Sequence, residues 1–265
     1  MQRSNSREVT SARIAIAIVA LLVLVTVVAS LSINLGKFQE RLSTEEGQAA
    51  LQGINSPSQL ESALKEHPSN NLLRLMKKAT QITNDTKGAI DRLSAEIEPA
   101  RLSKELNFSS VTPDELDAFR RDLKTAEANA RAFLPRYAAI FKAERGQIEA
   151  AAVSLHVPKE IASKVLDGVS QRHAKALDAI SRTLSARADY YNAYDKYIAF
   201  LSSELGSFKV VAGQFIFPLQ RTVERYNAAA QAMTSAGKRV AEVETEMKKQ
   251  EKPLPEEWMQ LTGGK

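Results

Sequence analysis

The chain of 265 residues contains no cysteine. It therefore has no disulfide, no thiolate nucleophile and no cysteine-ligated zinc site. Glycine and proline are scarce, with 11 and nine residues, and aromatic residues make up 6% of the chain. A charged, alanine-rich chain with so few turn-forming residues is typical of a protein built from long helices.

Strong charge of one sign is also missing. The chain has 36 Lys and Arg residues against 31 Asp and Glu, a net charge of +5. Most of the excess lies in the first 37 residues, which hold four basic residues and one acidic residue. Because the remainder is nearly balanced, it lacks the basic patch of a nucleic-acid-binding protein, and we expect no nucleic-acid partner.

The sequence also lacks the common catalytic motifs. His67, His156 and His173 are not spaced as metal ligands on a helix, so we expect no metal site and interpret each as an ordinary polar or capping residue. Neither a glycine-rich phosphate loop nor a Gly-x-Ser-x-Gly elbow occurs. Acidic residues are spread among nearby Lys and Arg, as on solvated helix faces. We therefore expect no cofactor and no enzymatic activity.

One long uncharged apolar run is present, at residues 14–36. Fourteen of its 23 residues are Leu, Ile or Val. As a helix it would be roughly 35 Å long, enough to cross a hydrocarbon core of about 30 Å. Lipid offers no hydrogen-bond partners to the backbone N–H and C=O groups of an open strand, so a helix is favoured there. The run therefore predicts a transmembrane helix that acts as a signal anchor, with the lipid bilayer as a partner.

The charges beside this run predict its orientation. Arg3, Arg7 and Arg13 precede it, whereas Lys37 and Arg41 follow it among acidic residues. The positive-inside rule places the N-terminus in the cytoplasm and the rest outside it, in a bacterium as an inner-membrane protein with a periplasmic ectodomain. A cleaved signal peptide is the main alternative, since small serines offer a cleavage site, but the run exceeds the 7–15 residues usual for such a segment.

Beyond the run, apolar residues recur at spacings of three and four, the period of amphipathic helices. Thr112-Pro113-Asp114-Glu115 is a capping box that starts a helix. We predict a short helix after Ser56 and long helices over residues 71–97, 112–155 with a kink at Pro135, about 160–205, and 219–252. A sheet is not expected, because almost no segment alternates with period two.

The fold class predicted is therefore all-α, a single N-terminal transmembrane helix followed by an antiparallel bundle of long amphipathic helices. Pairing of long stripes between chains, as in a coiled coil, makes a homo-oligomer an alternative. The stripe predicted for the first long helix comprises Leu72, Leu75, Ala79, Ile82, Thr86, Ile90, Leu93 and Ile97. That of the last helix comprises Leu219, Val223, Tyr226, Ala230, Met233, Val240, Val243 and Met247.

Five segments follow from this pattern. Residues 1–13 form a cytoplasmic tail and residues 14–36 the transmembrane helix. Residues 37–111 form a membrane-proximal helical region, residues 112–252 the long-helix bundle, and residues 253–265 a mobile tail.

Two groups of aromatic residues are candidates for an interaction surface. Tyr190, Tyr194 and Tyr197 share one helix face, and surface tyrosines are favoured at interfaces because they combine apolar area with a polar tip. Alternatively, they line the bundle core with their hydroxyls at its edge.

The second group surrounds a helix break. Phe215 and Phe217 lie in the break at residues 213–218, and Tyr226 follows it. These residues form either a hydrophobic plug at one end of the bundle or an exposed hairpin tip that docks a partner or a membrane.

Three short segments carry a resemblance to a known family. Tyr197-Ile198-Ala199, Phe217-Pro218 and Tyr226-Asn227 resemble, over about residues 130–235, the C-terminal part of an uncharacterised family of enterobacterial cell-envelope lipoproteins. This chain departs from that family in lacking the lipid-bearing cysteine, with the apolar run in its place. The resemblance implies an envelope location and a helical ectodomain, and it supplies no catalytic residues.

These observations predict an anchored interaction or scaffold protein of the bacterial envelope, with another envelope protein as its partner. One alternative is a ligand-sensing helical ectodomain, which would need a separate signalling partner because the N-terminal tail is too short for an output domain. Another is an exported helical protein released by signal cleavage.

Overall fold

The computed structural model describes residue 54 and residues 57–103, 106–211 and 213–250. The predicted tails at 1–13 and 253–265 and the predicted transmembrane segment at 14–36 lie outside these ranges. Among the helices that the structure does describe, none is both long enough and apolar enough to cross a bilayer.

The described chain is mostly helical, which confirms the all-α prediction. Its elements in order are α1 (Pro57–Glu66), α2 (Asn71–Ala95), a 3₁₀ turn (Ala100–Ser103), α3 (Pro113–Ala132), α4 (Leu134–Ser154), α5 (Lys159–Ser203), β1 (Lys209–Val211), β2 (Gln214–Ile216) and α6 (Gln220–Gln250).

Helix α3 begins with the predicted capping box. The Thr112 hydroxyl accepts a hydrogen bond from the Glu115 backbone N–H, and the Glu115 carboxylate accepts one from the Thr112 N–H at 2.8 Å. Pro113 occupies the first turn, where its missing N–H leaves no hydrogen bond unmade. Local chemistry alone therefore decides where this helix starts.

The predicted kink at Pro135 is an interruption between two helices. Helix α3 ends at Ala132, Phe133 caps it, and α4 resumes at Leu134. A proline cannot donate the next helical hydrogen bond and its ring clashes with the preceding turn, so the helix breaks just before it.

A short β-hairpin separates α5 from α6, and the sequence did not predict it. Strands β1 and β2 are antiparallel, with Lys209 opposite Ile216, Val210 opposite Phe215 and Val211 opposite Gln214. Gly213, in the turn, has a φ of 78°, which glycine adopts without strain. Strands of three residues are too short to show a period of two.

The described residues divide into two compact units, each assembled from separate stretches of chain. Unit A contains residues 93–135 and 180–248, and unit B contains residues 57–92 and 136–179 together with Ile54. Unit B thus draws on both the predicted membrane-proximal region and the predicted long-helix bundle.

The stripe predicted over residues 71–97 is confirmed by burial, although α2 ends at Ala95 and Ile97 follows it. Its eight residues are all buried, and those from Leu72 to Ile82 pack with apolar side chains of α4 and α5. Arg145 of α4 bonds to Ser170 of α5, and Glu144 to His173, so these two helices run antiparallel.

Unit A is built around the C-terminal half of α5. Helix α3 runs antiparallel to it, with Arg120 bound to Asp195 at 2.8 Å and Arg131 near Asp189. Helix α6 is also antiparallel, since the Thr183 hydroxyl contacts the Met247 sulfur at 2.9 Å and the Tyr197 ring contacts Tyr226. These pairs agree with the predicted antiparallel arrangement.

The stripe predicted for α6 is only partly correct. Val243 and Met247 are buried, but Val223, Tyr226, Ala230, Met233 and Val240 are only partly covered. Leu219, which we expected in the stripe, precedes the helix and is 64% exposed. Unit A therefore covers α6 well at its C-terminal end and poorly along its middle.

Candidate functional site

The six candidate interaction residues belong to one continuous set of ring contacts in unit A, here called the aromatic array. The array comprises Phe108, Phe119, Tyr190, Tyr191, Tyr194, Tyr197, Phe200, Phe208, Phe215, Phe217 and Tyr226. In a chain with so few aromatic residues, this concentration marks one end of unit A as its most densely aromatic part.

Tyr226 links the two aromatic groups that were predicted separately from the sequence. Tyr226 of α6 lies with its ring centroid 5.9 Å from that of Tyr197, 5.4 Å from Phe215 and 5.2 Å from Phe217. Tyr194 of α5 contacts Phe119 of α3 edge-on, at 5.4 Å. Edge-on and tilted ring pairs of this kind stabilise packing beyond the area they bury.

Burial assigns the array a packing role first. Tyr197 and Phe217 are buried, at 7% and 8% exposure, and Tyr190, Tyr194, Phe215 and Tyr226 are partly covered. The array therefore holds α3, α5, α6 and the hairpin together, which fits the core and plug interpretations. Whether its partly covered rings also contact a partner stays a prediction.

Exposed apolar side chains lie beside the array. Val211, Ile216 and Leu219, at and just after the hairpin, are 52%, 53% and 64% exposed. Val153, at 73%, is the exposed large apolar residue of unit B. Sequence reasoning selected the aromatic residues of this region, whereas the structure turns its aliphatic residues outward.

Two tyrosines of the array ionise with difficulty. Burial, the nearby Glu98 carboxylate and a hydrogen bond to it raise the pKa of Tyr191 far above its ordinary value of 10.0. Burial, followed by a hydrogen bond with Tyr226, raises the pKa of Tyr197 similarly. Both hydroxyls therefore remain protonated donors over the physiological range.

A buried charged network lies beside Tyr191. The Arg187 guanidinium, 4% exposed, is 3.7 Å from a Glu98 carboxylate oxygen and 3.5 Å from one of Glu244. The Tyr191 hydroxyl donates to the same Glu98 oxygen. The network joins α5 to α6 and to the segment after α2, so it braces the fold of unit A.

A second buried polar cluster lies in unit B. The Glu144 carboxylate, 1% exposed, accepts a hydrogen bond from the Thr83 hydroxyl at 2.7 Å, and its other oxygen lies 2.9 Å from His173 Nε2. The Phe141 ring stacks on the imidazole at 4.6 Å. A nucleophilic triad needs its hydroxyl against the histidine, whereas here the hydroxyl bonds to the carboxylate, and the cluster links α2, α4 and α5.

Arg172, next to this cluster, is incompletely satisfied. Its Nε donates to the Gly168 carbonyl oxygen at 2.9 Å, while its buried Nη1 has no hydrogen-bond partner. Burial lowers the pKa of Arg172 to about 10, against the opposing effect of Glu144. The lowering of the Arg172 pKa by desolvation is therefore larger than the raising of it by the Glu144 carboxylate.

Unit B also carries an open groove between α2 and α4. Its rim is mostly basic and polar and its floor is apolar, with Arg74, Lys77, Lys78, Gln81, Ile82, Asp85, Gln147, Ala150, Ala151, Ser154 and Leu155 as its lining. Lys77 is engaged by Glu61 at 2.8 Å. The groove could take an anionic molecule with an apolar portion.

Sequence reasoning missed the two buried polar networks. Each joins residues 29 or more positions apart, and none of these spacings forms a local motif. Within the ranges that the structure describes, no group of three or more His, Asp or Glu side chains is arranged to hold a metal ion.

No protein family, curated protein or solved structure matches this chain. The resemblance to enterobacterial envelope lipoproteins therefore stays a hypothesis.

Proposed function

We propose that this chain is a membrane-anchored protein of the bacterial envelope whose helical part is a non-enzymatic interaction or scaffold module. In this proposal residues 14–36 cross the inner membrane, the N-terminus is cytoplasmic and the helical part is periplasmic. The length of the uncharged run and the flanking arginines support the placement.

The observation that carries the interaction role is the incomplete burial of α6. From residue 223 to residue 242 not one side chain is buried, although apolar residues recur there at heptad-like spacing, as at Tyr226, Met233 and Val240. The stripe of α2, in contrast, is buried throughout. A helix that leaves its stripe partly uncovered retains apolar surface for a second helix.

The middle of α6 suits a helical partner. Residues 227–237 carry no charge, and five of these eleven residues are alanine, so a second helix can approach closely. At 31 residues α6 is about 46 Å long, which can provide the roughly 800 Å² per partner of a stable interface.

We therefore assign a helical segment of another envelope protein to this surface. The test places a photoreactive amino acid at exposed Gln231 of the full-length chain in bacterial cells, with exposed Asp117 of α3 as the matched control. A discrete adduct with a different protein from position 231 only would support the proposal. Its loss in Ala228→Arg/Ala232→Arg, with circular dichroism unchanged, would locate the contact on α6.

Two other outcomes would contradict parts of the proposal. An adduct at twice the mass of the chain would show that the partner is a second copy of this chain, and the absence of any adduct would contradict the docking role.

Fractionation and protease treatment of spheroplasts test the membrane placement, since an intact chain in the cytosol would overturn it. The mass of the mature protein distinguishes an uncleaved anchor from a cleaved signal peptide.

Ligand sensing is the second candidate function, and the unit B groove favours it. Arg74 and Lys78 border an apolar floor that includes Ile82 and Ala151. An anionic metabolite bound there would raise the melting temperature of the full chain in a metabolite panel. Arg74→Glu/Lys78→Glu should abolish that rise, whereas Arg121→Glu, at an exposed site on α3, should not.

A further inference from the structure

The register of the hairpin places four side chains on its outer face. Because opposed residues of an antiparallel pair point to the same side, Lys209 and Ile216 share a face with Val211 and Gln214. All four are exposed, whereas Val210 and Phe215 are partly covered and the Phe215 ring contacts the aromatic array. We call these four residues the hairpin face.

Two further exposed residues follow the hairpin face directly. Leu219 is 64% exposed, and Arg221, also exposed, lies in the first turn of α6. Within the described part of the chain, the side chains of Lys209 and Arg221 have no ion-pair partner, whereas nearby Arg225 faces Glu204 at 3.5 Å. The segment from Lys209 to Arg221 therefore carries three exposed aliphatic side chains and two cations without an ion-pair partner.

The aromatic array supports the hairpin from beneath. Phe215 contacts Phe108, Phe208 and Tyr226, at ring distances of 5.2 to 5.4 Å. A two-stranded hairpin alone is marginally stable in water, so these contacts hold the aliphatic side chains outward. The exposure of Val211 and Ile216 is thus a fixed feature of the fold.

The size and composition of this surface favour a lipid surface over a protein partner. Its six side chains are far fewer than the roughly 20–30 residues that each partner contributes to a stable protein complex. Protein hot spots are enriched in tyrosine and tryptophan, but the aromatic rings here face inward. Aliphatic side chains beside unpaired Lys and Arg are instead the combination that binds anionic headgroups.

Backbone chemistry limits the depth of insertion. The outer strand edges carry backbone groups that hydrocarbon would leave unsatisfied. Lys209 and Gln214 also alternate with the aliphatic residues of the face. Both constraints place the hairpin at headgroup depth, where water still reaches its edges.

We infer that the hairpin face, with Leu219 and Arg221, rests on the surface of an anionic bilayer. This contact is separate from residues 14–36 and from the docking surface on α6. It goes beyond the proposed function, and it is measured on the purified chain without any protein partner, so either proposal can fail while the other stands.

The absence of cysteine makes the test direct. Full-length Ile216→Cys and the control Ser235→Cys, at an exposed site on α6, are labelled with an environment-sensitive fluorophore. Each is reconstituted into phosphatidylcholine vesicles with and without phosphatidylglycerol. We expect blue-shifted emission and quenching by lipid-borne quenchers at position 216 in the anionic vesicles, and quenching mainly by aqueous iodide at position 235.

Two variants in the Ile216→Cys background identify the responsible groups. Val211→Ser/Leu219→Ser should remove the lipid quenching. Lys209→Glu/Arg221→Glu should lower the lipid-quenched fraction by more than roughly half, because each cation near an anionic surface contributes to binding. These residues are exposed, so circular dichroism and the melting temperature should stay unchanged in both variants.

Equal iodide access at positions 216 and 235 in both vesicle types would overturn the inference. Protection of position 216 only after co-reconstitution with membrane proteins would overturn it as well, since the hairpin would then dock on a protein. Equal lipid quenching with and without phosphatidylglycerol would contradict the role of the two cations.

Discussion

The Glu144 carboxylate of α4 and the His173 imidazole of α5 meet inside unit B, with Oε2 2.9 Å from Nε2. The other carboxylate oxygen accepts a hydrogen bond from the Thr83 hydroxyl of α2. Three helices thus share one buried carboxylate. A buried polar group is tolerated when its hydrogen bonds are made, and it becomes costly when a partner is removed.

Replacing Glu144 should therefore destabilise the protein strongly. Glu144→Ala leaves both the Thr83 hydroxyl and the His173 ring buried without this partner, and we expect the free energy of unfolding to fall by about 2–4 kcal/mol, because each unsatisfied buried polar group costs about 1–3 kcal/mol. Urea denaturation followed by circular dichroism measures the change. The control Glu149→Ala removes an exposed carboxylate paired with Arg145 and should cost less than about 1 kcal/mol. Equal effects of the two variants would show that the cluster contributes little.

Arg187 should be equally sensitive in unit A. Arg187→Met removes the cation between Glu98 and Glu244, and we expect a loss of about 3–5 kcal/mol because a buried carboxylate is left uncompensated. Arg182→Met, which removes an exposed partner of Glu246, is the matched control. Thermal unfolding of both variants provides the comparison. A melting temperature for Arg187→Met that equals the control would contradict the bracing role of the network.

Tyrosine ionisation should occur in two phases. The raised pKa values of Tyr191 and Tyr197 mean that both stay protonated in the folded chain above the ordinary value of 10.0. The contribution of these hydroxyls to the free energy of unfolding is complete below pH 10.0. It is lost as the pH rises toward the pKa values that they have in the folded protein. In a titration of absorbance at 295 nm, Tyr191 and Tyr197 should ionise only on alkaline unfolding.

The variants Tyr191→Phe and Tyr197→Phe should each remove one tyrosine from the late phase. Tyr137→Phe is a less informative control because Tyr137 is itself fully buried, so Tyr190→Phe, at a partly covered position, is preferred. Ionisation of all tyrosines in one phase near pH 10 would show that the two hydroxyls are not desolvated.

The capping box of α3 should make stability depend on acidic pH. The hydrogen bonds from the Thr112 backbone and side chain lower the pKa of Glu115 below its ordinary value of 4.5. This contribution is complete above pH 4.5 and is lost as the pH falls through the lower folded value. Glu115→Gln keeps a capping hydrogen bond without a titrating group, so its stability should vary less with pH in that window.

Thr112 itself should contribute through the helix end. Thr112→Ala should lower the free energy of unfolding by about 1 kcal/mol, whereas Thr112→Ser, which keeps the hydroxyl, should be nearly neutral. Urea denaturation at neutral pH measures both. An equal loss in the two variants would indicate that the methyl group of Thr112, and not its hydroxyl, stabilises the start of α3.

Much of the helical framework was predictable because its determinants are local. The start of α3 follows from four consecutive residues, and the interruption near Pro135 follows from one missing N–H. The eight residues of the stripe predicted over residues 71–97 are all buried, since apolar residues spaced by three and four lie on one side of a helix.

The candidate site was predictable only in part. The sequence selected Tyr190, Tyr194, Tyr197 and the residues near Phe217 as two groups, and the structure joins them through Tyr226. The β-hairpin was not predicted, because strands of three residues are too short to show an alternating pattern. The exposure of Val211 and Ile216, which depends on the hairpin, was therefore not predicted either.

The sequence by itself determined where helices begin and end, which face of most of them is apolar, and that one uncharged run is long enough for a bilayer. Only the tertiary structure decided which distant residues meet: His173 with Glu144, Arg187 with Glu98 and Glu244, and the rings of the aromatic array. Helix signals act over three or four residues, whereas these contacts depend on how whole helices lie against one another, which no short stretch of sequence specifies.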